Sequence, residues 1–339
     1  MLNSAKKSSD IELRIKNKIR KYGAITIAEY MLLISYGRSG YYENHKIGDD
    51  FITSSQISKG FGGLIAIWFY QIWCKYYFSR EVCLVELGAG NGELMSQMLK
   101  ILSQIPEFFD KISIKLVENS ESLSAIQKRK LSQFIEKIEW VNDIGLLKVD
   151  KTTFFFSNEF FDCLPIHQFA YQNDTLYEIL IKLNDETEGF EFCLSEKLSN
   201  AYLLINQFYL KNGNIIEISP SSINICKYIN SILKEFSGIS LIIDYGYKEF
   251  TGQSSLQGIC NHKVSNIFYK IGDVDISAHV NFQDLSLQMK DCVTKIYSQK
   301  EFLSNLKIDK IADIDKYIYD DSDFQSMGEL FKVMYNRAV

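Results

Sequence analysis

A short apolar run that breaks into closely spaced glycines is the feature that most limits how this chain can fold. Val82-Cys83-Leu84-Val85 reads as a buried strand, and it runs directly into Glu86-Leu87-Gly88-Ala89-Gly90-Asn91-Gly92. The helical stretch Glu93 to Leu99 follows. Glycines at 88, 90 and 92 let the backbone approach a ligand closely, where a Cβ would collide. A dinucleotide fingerprint, G-x-G-x-x-G, needs its third glycine at position 93, which is Glu93. The spacing here is E-x-G-x-G-x-G, with an acid on the last turn of the strand. Such an acid repels a pyrophosphate and pairs with the ammonium of an amino acid. The turn therefore favours S-adenosylmethionine over NAD.

Strand and helix alternate from there: strand 82–87, helix 92–104, strand 112–118, helix 121–135, strand 153–158. That rhythm predicts an α/β fold with a mostly parallel sheet and crossover helices. Upstream, residues 11–36 read as two short helices around Gly23, followed by a loop rich in Gly and Tyr. A helix from about Ser55 to Phe78 is apolar almost all round, which predicts burial. After Pro165 the rhythm changes. Segments 166–171, 176–183 and 189–194 read as short strands with polar turns, an antiparallel insertion at about 166–215. A helix near 221–236 and strand 239–243 resume the α/β pattern, followed by helices near 281–290 and 299–306 and a closing strand at 330–335. The expected organisation is an N-terminal helical cap over 1–80 and a Rossmann-like domain over 81–339.

Composition removes several classes of function. A formal net charge of −5 argues against a nucleic-acid partner. Lysines gather modestly near the N-terminus, but Ile11, Ile15 and Ile19 share one face there, as in an ordinary amphipathic helix. The longest apolar stretch, Gly62 to Cys74, is broken by Gln71 and is too short to insert in a membrane. Seven cysteines without a C-x-x-C pair argue for a reducing compartment and against a metal site.

In an open α/β sheet the ligand lies beyond the carboxyl ends of the strands. Four strand ends carry suitable residues. The Glu86–Gly92 turn is the first. Glu118 and Asn119 follow Val117, where an acid can take both ribose hydroxyls; read alone, Glu118 is equally a solvated strand end. Asn142 and Asp143 follow Trp140-Val141 and suit an adenine amino group, although in isolation they are turn formers. Asn158-Glu159-Phe160-Phe161-Asp162 follows the strand Phe154-Phe155-Phe156, and places two carboxylates where unpaired charge is expensive.

Several longer blocks then bring in a family. They are Gly23 to Met31, Gly40-Tyr41-Tyr42, Asp50 to Ser54, Leu84 to Gly92, Asn158 to Pro165, Ile243 to Tyr247, Ile276 to Phe282 and Met327 to Lys332. In that order they resemble the MidA-type S-adenosylmethionine-dependent methyltransferases, from about residue 19 to the C-terminus. The family includes a mitochondrial protein-arginine methyltransferase needed for complex I assembly. The resemblance implies a class I methyltransferase-type Rossmann-like sheet and S-adenosylmethionine as cofactor. It also implies a protein substrate, with arginine of a respiratory complex I subunit as the acceptor. Glu86, Gly88, Ala89, Gly90, Gly92, Glu118, Asn119, Asn142, Asp143, Asn158 and Thr53 are the expected cofactor-binding residues. Glu159 and Asp162 are the expected catalytic pair, because a carboxylate pair can hold a guanidinium in a bidentate fork. The Tyr41–Ser54 loop is read as a lid or cofactor wall. His279 and Asp244-Tyr245 are candidates for the acceptor pocket, with a structural role the more expected one for His279. The chain departs from the family pattern at Ala89 and Asn91, where Pro and Arg are usual, and at Ser55-Gln56, where a proline-acid pair is usual. Two alternatives stay open: a small-molecule methyltransferase with 166–194 as a pocket lid, and a cofactor-binding assembly factor without turnover.

Overall fold

A computed structural model of the 339-residue chain describes residues 2–35, 60–260, 263–306 and 330–339. In chain order, α1 (Leu2–Tyr22), β1 (Ile25–Thr26) and α2 (Ile27–Ser35) come first. Next is α3 (Phe61–Ile72), whose last turn loosens into a π-helical segment at Trp73–Tyr77. An alternating stretch follows: β2 (Val82–Leu87), α4 (Glu93–Leu102), β3 (Ile112–Val117), α5 (Glu121–Lys130), β4 (Ile138–Val141) and β5 (Thr152–Asn158). The insertion contributes β6 (His167–Gln172), β7 (Thr175–Leu183), β8 (Phe190–Ser195) and β9 (Ile215–Ile218). Helix α6 (Pro220–Phe236) leads into β10 (Gly238–Tyr247), and then come β11 (Gln257–Cys260), β12 (Lys263–Ser265), β13 (Asp275–Ser277) and β14 (Val280–Asn281). The chain closes with α7 (Phe282–Ser286), β15 (Cys292–Ser298), α8 (Gln299–Ser304) and β16 (Phe331–Ala338).

Two compact units are built from interleaved segments. One comprises 1–51, 161–224 and 249–281; the other comprises 52–160, 225–248 and 282–339.

The second unit holds a sheet in the order β15-β16-β10-β5-β2-β3-β4. Strands β4, β3, β2, β5 and β10 pair in parallel, and β16 runs antiparallel to both β10 and β15. Successive strands step outward from β2 to β4 on one side and from β5 to β10 on the other. The order thus reverses between β2 and β5, the place where such sheets bind ligands. Both strands are buried on both faces, the reason they read as unbroken apolar runs. Phe154 and Phe156 of β5 pack on Phe69 of α3, whose residues 61–69 are all buried. Ser120 caps α5 by accepting the Leu123 N–H at 3.3 Å, and the helix ends in Lys128, Arg129 and Lys130, favourable beside its negative C-terminal dipole.

In the first unit, β6, β7, β8 and β9 form an antiparallel sheet in which β7 carries β8 on one edge and β6 and β1 on the other. Ile11, Ile15 and Ile19 of α1 are buried with Tyr30, Met31 and Ile34 of α2 and Ile181 of β7. A small sheet, β12-β11-β13, belongs to the same unit. Its strands have three or four residues each, too short to show an alternating pattern in the sequence. Strand β15 was likewise not expected from the sequence, and α7 ends at Ser286, short of the helix expected to 290. Among the described residues, no helix is long and apolar enough to cross a membrane.

Candidate active site

The carboxyl ends of β2, β3 and β4, and those of β5 and β10, are tied by main-chain bonds that extend the parallel ladders. Gly88 N donates to Val117 O at 3.0 Å, and Glu118 N donates to Val141 O at 2.9 Å. On the other side of β5, Glu159 N donates to Ile243 O at 3.0 Å. The turn after β2 takes left-handed backbone at Gly88, Gly90 and Gly92, with φ of +67°, +54° and +76°. A Cβ on Gly88 would lie 2.6 Å from the Phe160 ring, so the loop after β5 closes against this turn only because the side chain is absent. Asn91 Oδ1 accepts the Glu93 N–H at 3.0 Å and so satisfies one of the free donors at the start of α4.

Three acids stand at these strand ends. Glu86 is 2% exposed, and its Oε2 has no hydrogen-bond partner among the described residues. Burial, and secondarily the Glu118 charge, push its carboxyl up to about 8. Glu118 is also buried and also raised by burial, but donors oppose the rise. Its Oε1 accepts the Ser120 N–H at 3.0 Å and its Oε2 accepts Gln127 Nε2 at 3.1 Å. Glu159 follows β5 with a left-handed φ of +52°, an uncommon conformation for a residue with a side chain. Asn158 Nδ2 donates to Glu159 Oε1 at 2.9 Å. The buried Asn158 Oδ1 and Ser157 Oγ have no hydrogen-bond partner among the described residues. Leu87 pairs with Ser157 in the β2–β5 ladder, so these atoms and the Glu86 carboxyl lie at neighbouring ends of the strands flanking the reversal.

Unsatisfied buried polar atoms are costly, and Glu86 Oε2 and Asn158 Oδ1 lie at the strand ends where sheets of this kind bind ligands. Comparison with known proteins says which ligand. The profile of a family described as "Putative S-adenosyl-L-methionine-dependent methyltransferase" matches residues 64–298. The protein arginine methyltransferase NDUFAF7 homolog of Caenorhabditis elegans is 32% identical over 341 residues, covering 90% of this chain and 78% of that protein. The human protein arginine methyltransferase NDUFAF7 is 30% identical over 322 residues, covering 86% of this chain and 72% of that protein. The chain belongs to this methyltransferase family. Its fold agrees with a Burkholderia thailandensis structure solved with S-adenosyl-homocysteine bound, with a TM-score of 0.80 at 20% identity, covering 99% of this chain and 93% of that one.

The residues present fit the family's cofactor, S-adenosylmethionine. Glu86 Oε2, without a hydrogen-bond partner among the described residues, is suited to an ammonium. Glu118 is held in place by the Ser120 and Gln127 donors at the end of β3. Gly88 and Gly92 lack a Cβ where one would meet Phe160 and Gln127, and Ala89 and Gly90 keep the rest of the turn small. Asn119, Asn142 and Asp143 are exposed after their strands. Asp143 Oδ1 accepts the Gly145 N–H at 2.6 Å, so that oxygen already serves the local turn. Thr53 and the Tyr41–Ser54 loop lie outside the described residues.

Sequence reasoning missed Gln127. It is fully buried on α5, and its Nε2 donates both to Glu118 Oε2 and to Gly90 O, the latter at 2.8 Å. Its Oε1 accepts the Trp140 Nε1–H at 2.9 Å. One amide thereby couples the glycine turn, the β3 acid and β4. The available signal was its spacing of four from Leu123, which puts a polar residue on the buried face of the helix. Asp244, named as a pocket candidate, is fully buried and accepts the Phe160 N–H at 3.1 Å and the Tyr245 N–H at 2.9 Å. It therefore fixes the loop that carries Glu159.

Asp162 and His279 belong to the other unit. Asp162 is buried, and its main-chain oxygen accepts the Ala278 N–H at 3.0 Å, which joins the segment after β5 to the residue before His279.

Proposed function

We propose that this methyltransferase acts on a protein arginine, in a subunit of respiratory complex I during assembly, within a bacterial cytoplasm or a mitochondrial matrix. The names of the relatives support the arginine acceptor, and the carboxylate at Glu159 is the observation that carries the reading. A guanidinium stays protonated at neutral pH, with a pKa above about 12, so its acceptor site needs fixed negative charge. Glu159 is the proposed source of that charge. Its backbone is pinned by Ile243, its carboxylate is oriented by Asn158, and the next residue is anchored on Asp244. Asp162, three residues on, is the proposed second carboxylate. A carboxylate pair can hold a guanidinium in a fork and draw its charge away from the attacking nitrogen.

When bound, S-adenosylmethionine supplies an electrophilic methyl group on a sulfonium. The chain contributes alignment: Glu86 and the glycine turn hold the amino-acid end, Glu118 holds the ribose, and Asn119, Asn142, Asp143, Asn158 and Thr53 complete the cofactor set. Orientation of this kind lowers a barrier by up to about 7–11 kcal/mol, so no nucleophile of the protein's own is required.

The test uses purified protein, radiolabelled S-adenosylmethionine and an extract of source cells lacking this gene. Label in a protein band whose digest contains methylarginine is the expected result. Label confined to the small-molecule fraction overturns the protein-acceptor reading, and no label in either fraction leaves an assembly factor without turnover.

A further inference from the structure

The first unit contains a buried carboxylate that is not among the candidate site residues. Glu217 on β9 is 6% exposed, yet it is fully provided with donors. Its Oε1 accepts Gln168 Nε2 at 2.7 Å and the Ser255 N–H at 2.9 Å, and its Oε2 accepts the Ser255 hydroxyl at 2.5 Å. The Gln168 amide and the Ser255 N–H can only donate, so Oε1 is an acceptor, and with the group ionised Oε2 accepts the Ser255 hydroxyl as well. Burial pushes its carboxyl up, and the Ser255 and Gln168 donors pull it back.

The consequence lies at Ser255. A hydroxyl has one proton, and here it is committed to Glu217. The Ser255 oxygen is then left to accept, and it takes the His279 N–H at 2.8 Å. The preceding residue, Ala278, donates its N–H to the Asp162 carbonyl. A chain of hydrogen bonds thus runs from Glu217 through Ser255 to His279, and the same short segment braces Asp162. Gln168 also donates to Ser254 Oγ at 2.7 Å, which secures the loop beside Ser255.

We propose that Glu217 is a positioning residue: as a carboxylate it sets the direction of the Ser255 hydroxyl and thereby fixes the 278–279 backbone that supports Asp162 and His279 on the acceptor side. Its functional consequence rests on the protein-acceptor reading above, whereas the positioning itself can be read without activity.

Hydrogen–deuterium exchange at the Ala278 and His279 amides is the decisive measurement, with S-adenosylhomocysteine titration and methyl transfer to the gene-deleted extract followed on the same proteins. Glu217→Gln places an N–H among donors. Exchange at His279 should accelerate about tenfold or more, as expected for loss of one charge-assisted hydrogen bond. Transfer should fall through a raised KM for the protein acceptor, while S-adenosylhomocysteine affinity stays at the wild-type value. Should Glu217→Gln fail to fold, Ser255→Ala tests the same link without burying a new donor, and Ser255→Thr should restore slow exchange and transfer. Unchanged exchange at His279 in Glu217→Gln and Ser255→Ala overturns the proposal, as does normal transfer despite faster exchange. If the wild-type protein labels no protein at all, the acceptor reading falls, and the exchange result alone decides whether Glu217 positions the segment.

Discussion

Glu86 and Glu217 are buried to nearly the same degree, one in each unit, and are satisfied in opposite ways. Glu217 is ringed by the donors Gln168 and Ser255, whereas Glu86 Oε2 has no partner among the described residues. A buried carboxylate surrounded by donors stabilises the backbone that supplies them. One without donors costs free energy until a ligand brings a cation. Burial alone therefore does not separate a structural acid from a binding acid. The inventory of partners does.

The sharpest way to break this contrast is through the third acid. Glu159→Gln keeps size and shape but removes the charge facing the proposed guanidinium. Methyl transfer should fall by about 10²–10³, the usual effect of losing a preorganised electrostatic contact, while calorimetry with S-adenosylhomocysteine shows unchanged affinity. Transfer at the wild-type rate would remove Glu159 from the acceptor site.

Next in size is Glu86 itself. Its carboxyl is held up to about 8 in the folded state against an ordinary value of 4.5. The folded protein keeps a proton that the unfolded chain has given up, so this contribution to stability is present below 4.5 and is lost as pH rises through about 8. Over that window the apo protein should lose several kcal/mol, at roughly 1.4 kcal/mol per pH unit. Denaturant melts of Glu86→Gln should lack this slope. An ammonium facing Glu86 draws its carboxyl back down, so cofactor binding near pH 7 should release up to about one proton, read from calorimetric heats in buffers of different ionisation enthalpy. The same variant should bind S-adenosylhomocysteine at least about tenfold more weakly, since hydrogen bonds to charged groups contribute roughly 1.5–3 kcal/mol. Affinity equal to wild type would place Glu86 with Glu217 as a structural acid.

A smaller effect is expected at Gln127. Gln127→Leu leaves the Trp140 N–H and the Gly90 carbonyl without this partner, and should lower stability by about 1–3 kcal/mol and weaken S-adenosylhomocysteine binding several-fold. Unaltered affinity with lowered stability would confine Gln127 to the fold. Least is expected from Asp143→Ala, which removes the bond to Gly145 and should cost about 1 kcal/mol of stability. If affinity falls more than stability, the exposed Asp143 carboxylate contacts the ligand as well.

Much of the second unit was legible because its signals are local. The buried strands Val82–Leu87 and Thr152–Asn158 read as apolar runs, and three glycines in alternate positions permit the positive φ values that the turn adopts. The family resemblance was legible in the same way, from blocks contiguous in sequence. The strands β11, β12 and β13 were not, since segments of three or four residues carry too few to establish a period, and the seven-residue edge strand β15 was missed despite an ordinary length. Glu159 was named for its place after β5, but its left-handed backbone and the brace from Asp244, some eighty residues later, are properties of the fold.

The sequence by itself determined the glycine turn, the alternation of strand and helix and the acids at the strand ends, because each depends on neighbours within a few residues. Only the tertiary structure decided what those acids do. Glu217 sits in Ile215-Ile216-Glu217-Ile218 like any polar residue of a strand, and its donors come from positions 168 and 255. Gln127 serves Gly90, Glu118 and Trp140 from one helix. Whether a buried polar group is satisfied depends on atoms within about 3 Å, and only folding brings partners so distant in the chain to that range.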